Sequence, residues 1–463
     1  MHTRVTPASS HAASTRRSRV RATERPDAAR NGAMSSSSNR IAGGAPPTYV
    51  VGAGMVGLCV AWRLQQEGVQ VVVVDRDEPA CGCSFGNAGA LSFGSVAPLA
   101  MPGTVWSAPG MLLDPNGPIH IPLRYWLKAM PWLIDFVRAA RPDHVERIAQ
   151  SLALFLAPAA ECHVEILREI GATDLLRFDG QLYLYRNTRQ LASDDATWNL
   201  KRRYGLRAEV MARDAFLELE PRVGPKYEVA VFTPDQGSSI DPYRHAMAIA
   251  DDFVRKGGVI LKEEVTGFAR RDDRITGVVT HSGTLEAERV IICAGAWSRQ
   301  LLLSLGYDVP LESQRGYHVM VARPDSGIRR PVILSDRRVF VTPMSEGIRA
   351  AGTVEFGGLD LPPTARRLNL LARHFAEAFP EIEPLADGAR WMGHRPCLPD
   401  SMPIIGKSER HNGLWFAFGH GHLGFTGAAV TGRILASEIS GQRRNVDISP
   451  FSIHRFDPGR RVA

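Results

Sequence analysis

Gly52-Ala53-Gly54-Met55-Val56-Gly57, followed by an acid at Asp75, is the residue set in this chain with the clearest chemistry. Gly52 permits a tight turn. Gly54 removes a Cβ that would block a diphosphate, and Gly57 lets a following helix pack close to the preceding strand. The helix start offers free N–H groups and the positive end of its dipole to an anion. Asp75 lies 23 residues beyond Gly52, where its carboxylate can accept hydrogen bonds from a ribose hydroxyl. Such a set binds a dinucleotide and leaves FAD and NAD both open. The bland alternative is a glycine turn that serves only the fold.

Four further clusters carry chemistry. Cys83-Ser84-Phe85-Gly86-Asn87-Ala88-Gly89 puts Ser, Asn and glycines in a loop that can approach a ring system through its backbone and donate hydrogen bonds. An ordinary turn has the same composition. The run from Val290 to Ser298 ends an apolar stretch in Ala294-Gly295-Ala296-Trp297, a second bare backbone edge or a plain strand-to-helix turn. Gly393-His394-Arg395-Pro396 opens an irregular block that runs to Gly406, and Gly419-His420-Gly421-His422-Leu423-Gly424 follows it. In Arg395, two parallel N–H donors match a carboxylate fork; the alternative partner is a structural acid. The last cluster is Gln314-Arg315-Gly316-Tyr317-His318 on an alternating run, where Tyr317 is either packing or a substrate contact. His318, His394, His420 and His422 are imidazoles able to titrate near neutrality. No Ser or Cys triad has a recognisable spacing, and no Cys/His cluster has metal-ligand spacing, so no metal is expected.

The elements that must position these groups read as follows. A strand–helix–strand unit spans about 48–76. Residues 96–140 are rich in Pro, Trp and Met and form either a packed wall of a second domain or a surface that touches a bilayer. Helical spacing covers 143–170, a strand 180–186 and a helix 188–204. Asp241 caps a helix that begins at Pro242 and stops at Gly257-Gly258. Strands at 259–268, 274–280 and 284–287 form a meander, and 289–294 is a buried strand. Residues 311–358 suggest an antiparallel sheet, 362–379 a helix, 414–418 a strand and 424–440 a helix. A parallel sheet needs several strands. Its candidates are far apart in sequence, so one domain is built from three separated segments with a second domain inserted twice.

Charge excludes a nucleic-acid role. The formal net charge is +7, but residues 1–47 hold eight Arg and only Glu24 and Asp27, which leaves the body near +1. That Arg/Ser/Ala-rich tail is expected to be a disordered segment or to precede a true start at Met34. It lacks the apolar core of a secretory signal. No apolar run reaches the length of a membrane span. The six cysteines form no CxxC pair, which suits a reducing, cytoplasmic setting.

Together these motifs resemble the D-amino-acid oxidase/dehydrogenase superfamily of flavoproteins, closest to the D-amino-acid dehydrogenases, over about 48–445. The resemblance rests on GxGxxG, on the SFGNAG loop after the first unit, on AGAWS, and most specifically on G-x-R-P-x-x-P-D-x-x-P-x-I-G at 393–406. It implies an α/β fold: a Rossmann-like, glutathione-reductase-like FAD-binding domain (48–110, 235–305, 386–445) with an inserted substrate domain of antiparallel sheet and helices (111–234, 306–385) and a C-terminal extension (446–463). It implies FAD rather than NAD, held non-covalently, because Gly393 stands where the covalent relatives carry a cysteine. The implied cofactor neighbours are Gly52 to Gly57, Asp75, Arg76, Ser84, Asn87, Ala88, Gly89, Val265, Ala294, Gly295, Trp297, Gly393 and the turn Gly419 to Gly424. Arg395 is implied to hold the substrate carboxylate, with Tyr317 beside the substrate. The reaction implied is hydride transfer from Cα of a D-amino acid to flavin N5, giving a 2-oxo acid and ammonia, with electrons passed to a quinone or other non-oxygen acceptor. D-Hydroxyproline or D-proline dehydrogenation, and an oxygen-using oxidase of the glycine/sarcosine type, are the alternatives; the second Arg of glycine oxidase is missing from the 419–424 turn. Outside the resemblance, an NAD dehydrogenase would be colourless and a non-catalytic flavoprotein would not bleach. Contact with the inner face of a membrane is at most peripheral, and the number of subunits is open.

Overall fold

A computed structural model describes residues 46–382, 388–442 and 447–457. The basic tail therefore lies outside the described residues, apart from its last two. Four of the five parallel strands of the first sheet carry runs of Val, Ile and aromatic residues buried on both faces, as a covered parallel sheet requires. The sheet order is Val259–Lys262, Val71–Asp75, Thr48–Val51, Arg289–Ile292, Leu414–Phe418, with Ile404–Lys407 as an antiparallel edge. One face (Val50, Val73, Ile291, Ala417) packs on helices Met55–Gln66, Pro242–Arg255 and Gly424–Ile439. The other (Val51, Val74, Ile292, Phe418) packs on the antiparallel meander Val265–Arg271, Arg274–Thr280, Gly283–Glu286. The expected meander strand at 259–268 is thus two strands: its first half joins the parallel sheet, and the chain then crosses to the layer beneath.

A second, nine-stranded sheet lies over the first unit. Its path is Ala389–Cys397, Glu312–Val321, Gly347–Phe356, Val339–Met344, Val332–Leu334, Gln181–Tyr185, Val229–Thr233, Glu209–Ala212, and the ninth strand, Ile119–His120, pairs with Gly347–Phe356 off that path. Helix Ala365–Ala378 covers one face through Leu368, Leu371 and Phe375; the other face looks toward the Gly-rich unit. The strand with Arg395 was grouped with the dinucleotide segments on sequence. It pairs instead along its whole length with Glu312–Val321, so its hydrogen bonds place it in the second sheet. The helix expected over 188–204 is two helices, Thr188–Ser193 and Asp195–Arg203, the first capped by Asn187 accepting from the Gln190 N–H at 2.9 Å. The Asp241 cap forms as expected, accepting from the Arg244 N–H at 2.9 Å.

Residues 96–140 fold into helices Pro102–Leu113 and Trp126–Ala139. Ala129 and Trp132 pack against Phe356 and Cys397, so this region is a wall. Its other side is bare: Trp106, Leu113, Leu123 and Leu127 are 83–89% exposed.

Candidate active site

The glycines differ in what surrounds them. A Cβ at Gly57 would lie 1.9 Å from the Gly52 carbonyl, and one at Gly52, where φ is +113°, would lie 2.5 Å from the Cys293 carbonyl. Both are closed by protein. A Cβ at Gly54 would meet nothing nearer than Ser84 Oγ at 3.7 Å, because that side of the backbone opens on a cavity. Gly295 (φ +53°) opens in the same way. The helix after Gly54 has no side-chain cap, while Ser84 Oγ accepts from the Met55 N–H at 2.8 Å. Asp75 accepts from the N–H groups of Ala53 (2.7 Å) and Asp77 (2.9 Å), which fixes its carboxylate beside the glycine turn. Burial pushes this carboxyl above its usual range. Arg76 stacks over Trp297 with its guanidinium 4.3 Å from the ring centroid, and Val265 lines the same end.

The 83–89 loop is stapled from three directions. Arg349, missed on sequence, donates to the carbonyls of Phe85 (3.1 Å) and Asn87 (2.5 Å). His318 Nδ1 pairs with the Gly86 carbonyl at 3.1 Å. The Cys83 thiol donates to the His394 carbonyl at 2.9 Å. Trp391, stacked on His318 with centroids 5.1 Å apart, fills the space that any side chain at Gly86 or Gly393 would need. Within the loop, Asn87 Oδ1 accepts from the Gly89 N–H at 2.8 Å and Gly89 takes φ +72°. The loop, the Arg395 strand and the Tyr317 strand, each singled out on sequence, therefore meet. Ala88 faces the cavity beside them.

Arg395 lies across Gly316, whose missing Cβ would be 2.3 Å from Nη2, and donates to the Thr353 carbonyl at 3.0 Å. Among the described residues no carboxylate lies within ion-pair distance of it. Burial lowers the affinity of this guanidinium for its proton, and the nearby thiols stay protonated, Cys83 pushed up to about 11 and Cys397 to about 12. This half-buried cation faces the cavity without a described anion.

For Tyr317 the structure favours the packing alternative at its hydroxyl. The strand alternates: Gln314 and Gly316 line the cavity and His318 packs on the 83–89 loop on the same side, while the Arg315 guanidinium and the Tyr317 hydroxyl turn to the side of the covering helix. The Tyr317 hydroxyl donates to Glu355 and accepts from the Thr364 N–H (3.1 Å), and its ring is buried among Leu182, Val319 and Leu371. Its hydroxyl holds the sheet to its helix, while the residue also borders the cavity. The histidines are corrected. Burial drives His318 and His420 down to about 3, and His394 and His422 to about 4, so all four are neutral at pH 7. His420 Nε2 pairs with Thr431 Oγ1 at 2.9 Å inside the following helix, a structural role. His420 and His422 both line the cavity, with Gly419, Gly421, Leu423 and Gly424.

One continuous cavity of about 1190 Å³ joins the Gly52–Asp75 cradle to Arg395 and continues under the second sheet. That exceeds the usual 300–1,000 Å³ of a single-ligand pocket. It has room for a dinucleotide with a substrate beside it, and the open face at Gly54 and the bare edge at Gly295 fit the FAD diphosphate and its neighbours. Sequence reading also missed Lys201 and Arg338 at the far end, because a basic run near a helix end looks like a solvated face.

A parallel sheet that presents a bare-backbone diphosphate cradle, roofed by a second sheet carrying an unpaired cation, defines a dinucleotide-dependent oxidoreductase. The sequence profile of the family described as "DAO: FAD dependent oxidoreductase" matches residues 48–438. The chain belongs to this DAO family of FAD-dependent oxidoreductases. It is 35% identical over 413 residues to a D-amino-acid oxidase of Bradyrhizobium diazoefficiens, covering 88% of this chain and 98% of the relative. It is 30% identical over 419 residues to a D-amino acid dehydrogenase of the same organism, covering 88% and 98%. Among solved structures, L-proline dehydrogenase from P. horikoshii superposes with TM-score 0.70 at 19% identity, covering 89% of this chain and 98% of that one. Glycine oxidase from Geobacillus kaustophilus superposes with TM-score 0.68 at 22% identity, covering 89% and 99%. These two show the shared fold.

Proposed function

We propose that the protein deaminates D-amino acids oxidatively to 2-oxo acids and ammonia and passes the electrons to a quinone or another non-oxygen acceptor. The observation that carries this reading is Arg395, a half-buried guanidinium that faces the cavity with no described acid to neutralise it. A substrate carboxylate is the anion its fork suits. The names of the D-amino-acid oxidase and dehydrogenase relatives support the D configuration.

Bound FAD supplies the two-electron acceptance; the protein supplies position and field. The turn Gly419–Gly424 and the start of helix Gly424–Ile439 present the positive end of a dipole to the cavity, where negative charge on a reduced cofactor is stabilised. Neutral His422 beside Arg395 adds no competing positive charge. Cys397, its thiol pushed up to about 12, is a poor nucleophile, consistent with non-covalent FAD. Acid denaturation should release all the flavin into the supernatant.

No helix among the described residues is long and apolar enough to cross a membrane. The bare ridge of Trp106, Leu113, Leu123 and Leu127, interspersed with Arg124 and Lys128, suits the surface of an anionic bilayer. That contact, on the cytoplasmic side, would bring a lipid-soluble acceptor to the cavity wall formed by the same helices. The sequence segments 48–110, 235–305 and 386–445 are read as the FAD-binding domain, less the strand Ala389–Cys397. The deciding experiment is anaerobic mixing with paired D- and L-amino acids, D-proline and sarcosine, following flavin bleaching. Bleaching by D-amino acids is expected; bleaching only by sarcosine or L-amino acids overturns the reading. In air, stoichiometric peroxide would overturn the acceptor assignment alone.

A further inference from the structure

Beyond Arg395 the cavity runs under the second sheet to an end lined by Tyr183, Thr197, Lys201, Ser335 and Arg338. Helix Asp195–Arg203 delivers Lys201 there, its ammonium 4.7 Å from the Trp198 ring centroid and 5.5 Å from that of Tyr183. The two cations at this end are not equivalent. Arg338 is paired with Asp194, 3.6 Å away, and Asp194 is also held by the Tyr185 hydroxyl at 3.0 Å. Lys201 has no described carboxylate within ion-pair distance. Loss of water lowers its ammonium to about 8, with the Arg338 charge adding to the effect and the Asp194 carboxylate partly opposing it. The far end therefore carries one uncompensated positive charge, as the near end does at Arg395.

The charges of both Arg395 and Lys201 bear on the imidazole of His422. The wall between the two ends is apolar or small, with Ile333, Phe340 and Ala351. Arg395 bonds to the strand Gly347–Phe356, and Tyr183 lies three strands further along the sheet. At about 4.8 Å per strand that is roughly 14 Å between backbones. The Arg395 guanidinium already reaches the first of these strands; with the Lys side chain and two ion-pair contacts taken from the span, the remaining gap suits a long dicarboxylate better than a glycine-sized substrate.

We propose that Lys201 is a specificity-determining residue for a second anionic group, so that the substrate class is acidic amino acids of glutamate length. This rests on the reading that Arg395 holds the α-carboxylate. The α-carboxylate sits on Arg395, the side chain crosses the apolar wall, and the distal carboxylate meets the Lys201 ammonium. A neutral amide at that position leaves the ammonium without an anion.

The test compares D-glutamate with D-glutamine in the wild type, Lys201→Met and Lys201→Glu holoenzymes, with D-alanine as a short control. The wild type should favour D-glutamate at least tenfold in kcat/KM. Lys201→Met should remove that preference through KM while kcat on D-alanine stays within about twofold. Lys201→Glu should shift the preference to D-lysine and D-arginine. Without turnover, glutarate should perturb the flavin spectrum of the wild type and bind Lys201→Met at least tenfold more weakly, while butyrate binds both alike. A wild type that prefers D-glutamine, or a ratio unmoved in Lys201→Met, overturns this proposal alone. A Lys201→Met enzyme with an altered resting flavin spectrum and an unchanged ratio also overturns it, because Lys201 then faces the cofactor. Flavin bleached by no amino acid overturns the deamination reading, and this proposal with it.

Discussion

The two ends of the cavity recognise their ligands by different means. At the diphosphate end, one strand–turn–helix–strand unit, Thr48–Asp75, carries most of the cradle, and its working parts are backbone. At the reacting end, Arg395, Gly316, Thr353 and His422 come from four elements far apart in sequence, and the working parts are mostly side chains. The first end depends on where Cβ atoms are missing; the second depends on which charges lack partners. Damage to one should therefore abolish cofactor binding, and damage to the other should change the choice of substrate.

The largest expected effects are at the glycines, which separate two roles inside one motif. Gly57→Ala places a Cβ 1.9 Å from the Gly52 carbonyl, backbone that cannot move aside, so soluble folded protein should be lost. Gly54→Val puts its bulk into the cavity instead. It should fold with a near-native melting temperature and purify colourless, read from the flavin absorbance. A yellow Gly54→Val protein would contradict the assigned diphosphate site.

At the other end, Arg395→Met should keep the flavin and lose substrate. A desolvated charge pair is worth about 2–5 kcal/mol, roughly 30- to 4,000-fold in kcat/KM. Tyr317→Phe sharpens the contrast from the opposite direction. It removes the bond to Glu355 and leaves a buried carboxylate oxygen less satisfied, costing about 1–3 kcal/mol of stability. KM should not change, and a rise in KM would restore Tyr317 to the substrate site.

The smallest effect to resolve is with pH. His318, His394, His420 and His422 have folded values of about 3–4, whereas unfolded histidine protonates near 6.5. As pH falls from 6.5 toward 4, the unfolded chain binds protons that the folded chain does not, so stability falls over that window. Glu220 and Glu312, pushed up to about 7 by burial, act in the opposite sense: their protonated forms stabilise the fold at low pH. The melting temperature should still decline between pH 6.5 and 4, because the histidines outnumber the glutamates. A flat profile would mean the imidazoles are not held neutral.

The difference between the ends also explains what could be read from sequence. Gly52, Gly54, Gly57 and Asp75 were legible because a diphosphate turn is local and constrains residue types at fixed spacing. Arg395 was found because an irregular motif surrounds it. Its sheet was misjudged because strand pairing joins residues about 80 apart, with no local signal for the partner. The direction of the Tyr317 hydroxyl was not legible because alternation shows that two faces exist but not which one looks into the cavity. Lys201 and Arg349 carry no motif at all: one resembles a solvated helix end, the other a strand residue, until the fold brings them to the cavity and to the 83–89 loop.

The central claim is that Arg395 selects a carboxylate beside the cofactor. It is tested most directly by anaerobic mixing of wild type and Arg395→Met with a D-amino acid and with its carboxamide, following flavin bleaching. The account predicts that the wild type is bleached by the acid far faster than by the amide, and that Arg395→Met loses this discrimination while remaining fully flavinated. Equal bleaching by acid and amide in the wild type, or discrimination that survives in Arg395→Met, would contradict it.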